Sequence, residues 1–133
     1  MTMITASASF GSWEEEPGFG PDAPLPRLSH ASVAFSYAGE VTGSGACQYV
    51  LSYGADGTGT GVGFEALTAR IGEEPGEVVL RHEVEFTAEG VTCRFEIVPG
   101  SGTGAFVGTT GSGSYVVGHG ASGWDWALEL ERS

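Results

Sequence analysis

The sequence predicts an all-β fold, namely a closed antiparallel barrel of about eight strands around a central cavity. Apolar and polar residues alternate with the two-residue period of a strand, and no segment carries a convincing helical period. Short turn sequences separate these segments, which favours an antiparallel meander, and a meander removes its edges by closing into a barrel. The 23 glycines fit the bends and bulges of such a barrel. A two-sheet sandwich is the alternative.

Each strand is predicted from its own alternation and is bounded by a turn signal. An acidic, proline-rich loop runs from Glu14 to Pro26, Asp56 and Gly57 mark a hairpin, and the next turn is expected at Glu73–Gly76. The predicted strands cover about residues 6–13, 28–38, 40–53, 58–71, 77–87, 91–98, 104–109, 113–117 and 124–131.

Composition limits the possible partners. The net charge is -12, with only five basic residues, which argues against binding to nucleic acid or to an anionic membrane surface and favours a neutral or cationic ligand. No apolar run approaches the roughly 20 residues that span a bilayer. Residues 1–6 resemble the leader of a β-galactosidase α-fragment cloning vector and not a signal peptide. We therefore expect a single domain over residues 7–133 and a cytoplasmic protein.

The two cysteines and three histidines do not indicate a metal centre. Cys47 and Cys93 lie in apolar strand patterns, so buried free thiols are favoured over a disulfide. His30, His82 and His119 are scattered along the chain, and no zinc-ligand spacing is present. We expect neither metal nor cofactor, with a mononuclear three-histidine site as the minor alternative.

Two titratable residues fall on apolar strand faces. His82 shares a face with Val78, Leu80, Val84 and Phe86, and Glu65 shares one with Leu67, Ala69 and Ile71. A hairpin centred near residues 73–74 would place Glu65 directly opposite His82. A buried Glu has a raised pKa and a neighbouring His can relay its proton, so the pair is a candidate general base and acid. A buried ion pair that only orders the barrel is the alternative.

Aromatic residues on the same faces are candidate ligand contacts. Trp124 and Trp126 share a face with Leu128 and Leu130, and Tyr49 and Tyr53 share one with Cys47. Core packing explains the same pattern. The candidate ligand-binding residues are Trp13, Gln48, Tyr49, Tyr53, Phe95, Trp124 and Trp126, with Trp13 expected at the barrel mouth.

Several stretches, in this order, resemble an uncharacterised bacterial family of small proteins, a domain of unknown function with an allene-oxide-cyclase-like barrel. They are residues 12–15, 28–33, 49–53, 63–70, 80–82 and, most distinctively, Pro99-Gly100-Ser101-Gly102-Thr103-Gly104. The resemblance implies a calycin-like barrel with a central cavity. Proteins sharing that barrel include cofactor-free cyclases, which act by shaping their substrates. Gln48 and Ser44 stand where the resemblance leads us to expect acidic residues.

These observations lead to two functional hypotheses. The first is a cofactor-independent enzyme that acts on a small hydrophobic or carbonyl-bearing molecule by proton transfer between Glu65, His82 and the ligand, as an isomerase, lyase, hydrolase or cyclase. The second is a non-catalytic barrel that binds a small molecule. Both are compatible with a homo-oligomer, and the fold class does not separate them.

Overall fold

A computed structural model describes residues 2–16, 27–56, 58–118 and 121–132. The described chain forms nine β-strands and no helix. The strands are β1 (Thr2–Glu16), β2 (Arg27–Gly39), β3 (Val41–Tyr53), β4 (Gly59–Ile71), β5 (Glu74–Thr87), β6 (Gly90–Ile97), β7 (Thr103–Gly104), β8 (Thr109–Gly118) and β9 (Gly123–Arg132).

Eight of these strands close into an antiparallel barrel, and this confirms the predicted fold class. The hydrogen-bonded order runs β4-β3-β2-β1-β9-β8-β6-β5, and a ladder between β4 and β5 closes the ring. The two-residue β7 pairs only with the start of β5, at Gly76 and Glu77. Strict alternation along β3 and β4 sends every second side chain into the barrel, as the two-residue period requires.

The structure differs from the expected strand boundaries at several points: β5 and β8 begin earlier than expected, and residues 14–16, expected in the acidic loop, belong to β1. β1 begins at Thr2, and Thr2 to Ser9 pair with β9, so the domain boundary expected at residue 7 lies inside a strand of the barrel. The strand predicted over residues 104–109 is wrong. Residues 105–108 form a turn, because Ala105 and Phe106 are fully buried at the start of β5 and fill that end of the barrel.

Other expectations fall on residues outside the described part of the chain. They concern residues 17–26 of the proline-rich loop, Gly57 of the hairpin, and His119. Within the described residues, no helix is long and apolar enough to cross a membrane.

Packed side chains occupy the barrel interior. The largest fully buried residues include Trp126, Phe35, Phe106 and Leu51. The surface grooves lie on the outer wall, one of them lined by Arg81, Glu83, Arg94 and their neighbours. Large side chains therefore pack much of the interior, and the central cavity expected from the sequence stays a prediction.

Candidate functional site

The hairpin between β4 and β5 brings Glu65 and His82 together in a register that differs from the expected one. The turn lies at Gly72–Glu73, where Gly72 adopts a φ of 63°, and not at Glu73–Gly76. Glu65 therefore pairs with Leu80, and His82 pairs with Gly63. The two side chains lie on the same face, two positions apart, and meet diagonally.

The contact between the two side chains is short and excluded from solvent. His82 Nε2 lies 2.7 Å from Glu65 Oε1. The exposed fraction is 1% for His82 and 0% for Glu65. Buried charges are rarely found unless they are paired, and here each group supplies the partner of the other.

Two tyrosines and a cysteine extend the pair into a buried hydrogen-bond network. The Tyr37 hydroxyl donates to Glu65 Oε2 at 2.6 Å, and the Tyr49 hydroxyl lies 3.0 Å from His82 Nδ1. Cys93 Sγ approaches the same Nδ1 at 3.3 Å. All polar atoms of the carboxylate and the imidazole thus have partners, which holds both groups in fixed orientations.

Gly45 provides the space that the Glu65 carboxylate occupies. A Cβ atom at position 45 would overlap Glu65 Oε2, and it would lie 2.7 Å from the carboxyl carbon. Gly45 is on β3, directly opposite Leu67 of β4, two residues along from Glu65. The glycine is therefore a condition for burying the pair, and its role here is steric.

Aromatic rings hold the imidazole on both faces. His82 is stacked against Phe35 at a centroid distance of 6.0 Å and against Phe95 at 5.8 Å. Phe95 in turn is stacked on Trp126 at 5.4 Å. This packing lowers the local dielectric around the pair and strengthens its electrostatic interactions.

The pKa values in the network are shifted by burial and by hydrogen bonding. Burial lowers the pKa of His82, but its hydrogen bonds with Cys93 and Glu65 outweigh burial and raise the pKa to about 9. Burial also raises the pKa of Tyr37 and of Tyr49 well above the ordinary tyrosine value. At neutral pH, His82 therefore holds a proton on both nitrogens, and both tyrosines are neutral.

Protonation of His82 sets the direction of the hydrogen bonds. In the imidazolium, Nε2 donates to Glu65 and Nδ1 donates to Tyr49 or Cys93. When Nδ1 loses its proton it becomes an acceptor, and the Tyr49 hydroxyl can donate to it instead. The bond between Tyr49 and His82 can thus run in either direction, as a proton relay requires.

We expect the protein to lose stability relative to a His82→Gln variant as the pH rises from about 6.5 to about 9. The folded-state pKa of His82, about 9, lies above its ordinary value of 6.5, so the stabilisation from protonation is complete below pH 6.5 and disappears as the pH passes 9. Melting temperatures of both proteins across this range test the prediction. Both carry the same surface charges, so parallel curves would contradict it.

Trp13 covers the network at one end of the barrel. It stacks on Tyr49 at a centroid distance of 6.0 Å and meets Phe86 edge-on at 6.2 Å. Its indole N–H donates to Glu15 Oε1 at 3.1 Å, and Glu15 also accepts hydrogen bonds from Ser29 and Tyr53. With 39% of its surface exposed, Trp13 lies between solvent and Tyr49.

The structure brings most of the predicted site residues to one interior. Tyr49 contacts His82 directly, Phe95 stacks on it, and Trp126 lies behind Phe95. Tyr53 lies at the mouth against Phe86. Trp124 packs on Tyr115 at a centroid distance of 4.9 Å.

Gln48 lies apart from this group. The alternation of β3 directs it outward, where it is exposed and accepts a hydrogen bond from the Ser32 hydroxyl at 3.0 Å. Gln48, predicted as a ligand-binding residue, therefore lies on the outer wall, on the opposite face of β3 from Tyr49.

Sequence reasoning missed four members of the site: Tyr37, Phe35, Gly45 and Cys93, the last of which was expected only as a buried thiol. The alternation of β2 places Tyr37 and Phe35 on the same face as Val33, and this signal could have marked both as interior residues. No sequence signal pairs Tyr37 with Glu65, because β3 lies between their strands.

The thiols and histidines are arranged as follows. Cys47 and Cys93 are buried and free, as expected, and burial raises the pKa of Cys47 to about 12. His30 is exposed on β2, whereas His82 is buried. Across the residues that the structure covers, no group of three or more His, Cys, Asp or Glu side chains is placed to hold a metal ion.

Comparison with known proteins identifies relatives but no activity. Residues 4–129 match the sequence model of a family described as "Protein of unknown function (DUF3224)". A protein of unknown function from the DUF3224 family of Shewanella oneidensis MR-1, solved at 1.84 Å, shares the fold with a TM-score of 0.77 and 19% identity, over 100% of this chain and 99% of that chain. No curated protein matches. At this identity the structural likeness shows the fold alone.

Proposed function

The chain belongs to the DUF3224 family, whose function is unknown, and from its interior geometry we propose that it is a cofactor-independent enzyme. It would transfer protons to and from a small hydrophobic or carbonyl-bearing molecule, as an isomerase, lyase, hydrolase or cyclase. One observation carries the proposal: the Glu65–His82 pair is fully buried and is bonded by a tyrosine at each end. Perturbed titratable groups held in fixed geometry are typical of catalytic sites.

Tyr49 and His82 carry the proton in this proposal, and Glu65 orients the imidazolium and stabilises its charge. The Tyr49 hydroxyl donates its proton to the carbonyl oxygen of the ligand, and Nδ1–H of His82 reprotonates Tyr49. His82 is left neutral, with Nε2–H still bonded to Glu65. Water removes the proton of the adjacent carbon as Tyr49 delivers its own proton to the carbonyl oxygen, so the enol forms in one concerted step and the hydronium ion passes to solvent. Reversal of the steps returns the proton to His82.

The ligand would reach Tyr49 from the mouth of the barrel. Trp13 covers Tyr49 there and is itself partly exposed, so its displacement uncovers the tyrosine without disturbing the stack around His82. The indole is held by one hydrogen bond to Glu15 and by ring contacts. A ligand with a flat apolar body would replace those ring contacts.

Hydrogen–deuterium exchange tests the proposal and does not require the overall reaction to be identified. The protein is incubated in D2O with a panel of ketones and α,β-unsaturated carbonyl compounds, and NMR follows deuterium entering the carbon next to the carbonyl. We expect exchange with the wild-type protein and a loss of about 100-fold or more in His82→Ala and in Glu65→Gln. Binding of the same compound should change by no more than about tenfold.

A second histidine provides the matched control for this experiment. His30→Ala removes an exposed imidazole from β2 and should leave exchange unchanged. Circular dichroism establishes that each variant is folded. Exchange that persists in folded His82→Ala, or that falls equally in His30→Ala, would contradict the assignment of His82.

The alternative function is a non-catalytic barrel that binds a small molecule. It is favoured by the indole N–H groups of Trp124 and Trp126, which are buried and have no hydrogen-bond partner among the described residues. Buried donors normally have a partner, and a ligand carbonyl or ether oxygen would supply one. Saturable quenching of tryptophan fluorescence by a compound that shows no exchange would support this function over the enzyme.

A further inference from the structure

One side of the outer barrel wall carries no acidic side chain. Six outward positions on each of three adjacent strands form it: alternate residues from Leu28 to Ala38 on β2, from Thr42 to Ser52 on β3 and from Thr60 to Arg70 on β4. We call this surface the neutral wall. It is unusual in a chain of net charge -12 with 17 acidic residues.

The carboxylates are concentrated on other strands. The outward positions of β5 and β9 carry Glu77, Glu83, Glu85, Asp125, Glu129 and Glu131. Two copies of this chain that met through those strands would repel each other. Facing neutral walls bring no carboxylate of these strands into the contact, and Arg70 lies at the end of the wall, near the turn after β4.

The neutral wall also carries a contiguous set of exposed apolar side chains, which we call the apolar patch. Val50 and Val62 are direct cross-strand partners, with 60% and 41% of their surfaces exposed. Phe64, 51% exposed, is two residues from Val62 along the same face, and Leu28, 68% exposed, lies beside Val50. Contiguous exposed apolar patches of this kind mark interaction sites.

We propose that a second copy of this chain docks on the neutral wall and that the protein is a dimer formed through the apolar patch. Strand geometry gives the wall about 35 Å by 14 Å, or roughly 500 Å² in projection. That projected area is close to the ~500 Å² per partner, or ~1,000 Å² in total, that a specific interface needs at the least. Because β4 and β5 close the barrel, the copies meet face to face and not by adding strands at an edge.

The symmetry of such a dimer makes it sensitive to a single substitution. In a two-fold interface each residue occurs twice, so Val50→Glu places two carboxylates in the contact. We expect the wild-type chain of 133 residues to sediment as a dimer, at twice its 13.7 kDa, at micromolar concentration. Val50→Glu should weaken dimerisation by roughly tenfold or more. The measurement is analytical ultracentrifugation over a range of concentrations.

Val116→Glu is the matched control, because Val116 is 68% exposed on β8, outside the neutral wall. It should dimerise like the wild type. A monomeric wild-type chain overturns the proposal. It does so even if the monomer sediments with phosphatidylcholine vesicles, a result that would assign the apolar patch to a lipid surface. A dimer that Val116→Glu dissociates as effectively as Val50→Glu also overturns the proposal. These outcomes do not depend on the proposed catalysis, because Val50 points away from the interior.

Discussion

Replacing Glu65 with leucine will lower the free energy of unfolding by about 3–5 kcal/mol, the cost of removing one partner of a buried ion pair. The substitution keeps a side chain of similar length in the core, so the loss is electrostatic in origin. It leaves His82 without its 2.7 Å partner and leaves the buried Tyr37 hydroxyl without its acceptor. Urea unfolding followed by circular dichroism measures the effect.

A double variant separates the net contribution of the Glu65–His82 pair to the free energy of unfolding from the destabilisation caused by removing one partner. In Glu65→Leu/His82→Leu no unpaired polar group of the pair remains, and replacing both members of a buried pair by apolar residues is often neutral or stabilising. We expect the double variant to recover part of the stability lost in Glu65→Leu, because the buried hydroxyls of Tyr37 and Tyr49 still lack these partners. A stable double variant without exchange activity would favour function as the reason for the pair. A double variant as unstable as the single one would favour the structural alternative.

Replacing Gly45 with alanine will destabilise the protein by about 3 kcal/mol, although it adds only one methyl group. The new Cβ would overlap Glu65 Oε2, and the carboxylate cannot turn aside without losing its bonds to Tyr37 and His82. Overpacking of a core costs about 1–3 kcal/mol, and a weakened charged hydrogen bond adds to that cost. Thermal and urea unfolding measure the loss.

Gly118→Ala serves as the control for this substitution. A Cβ at Gly118 meets nothing within 4 Å, so we expect a change of no more than about 0.5 kcal/mol. Wild-type stability in Gly45→Ala would show that the carboxylate has room to move. The fixed orientation on which the proposed proton transfer depends would then be lost.

The fold was predictable because the alternation is regular along most of the strands. Along β4 and β5 every second residue is apolar or belongs to the buried pair, so the inward positions of Glu65 and His82 followed from the two-residue period. Their expected direct opposition was wrong by two residues, since the turn begins at Gly72 and not at Glu73. A two-residue shift in register leaves both side chains on the interior face of the barrel. For that reason the predicted contact between Glu65 and His82 is present although the register was wrong.

Other parts of the site were beyond sequence reasoning. The bond between Tyr37 and Glu65 joins strands that are not neighbours in the wall, so it depends on barrel curvature, which no local pattern encodes. Phe106 belongs to a turn that is buried against the start of β5. Because its neighbours Ala105 and Val107 are also apolar, the sequence there resembled that of a strand. How closely the interior is packed depends on the sizes of side chains that meet across the barrel, and strand alternation does not report these.

The ladder between the first and last strands has a kinetic consequence. Most neighbouring strands form hairpins that can fold locally, but Thr2 pairs with Leu130 and Ser9 with Gly123, almost the whole chain apart. The loop-closure entropy of that ladder must be overcome before its contacts contribute any stabilisation. Until β9 pairs with β1 and β8, those two strands have unpaired edges. We therefore expect the closure of the barrel to be a late and slow step in folding.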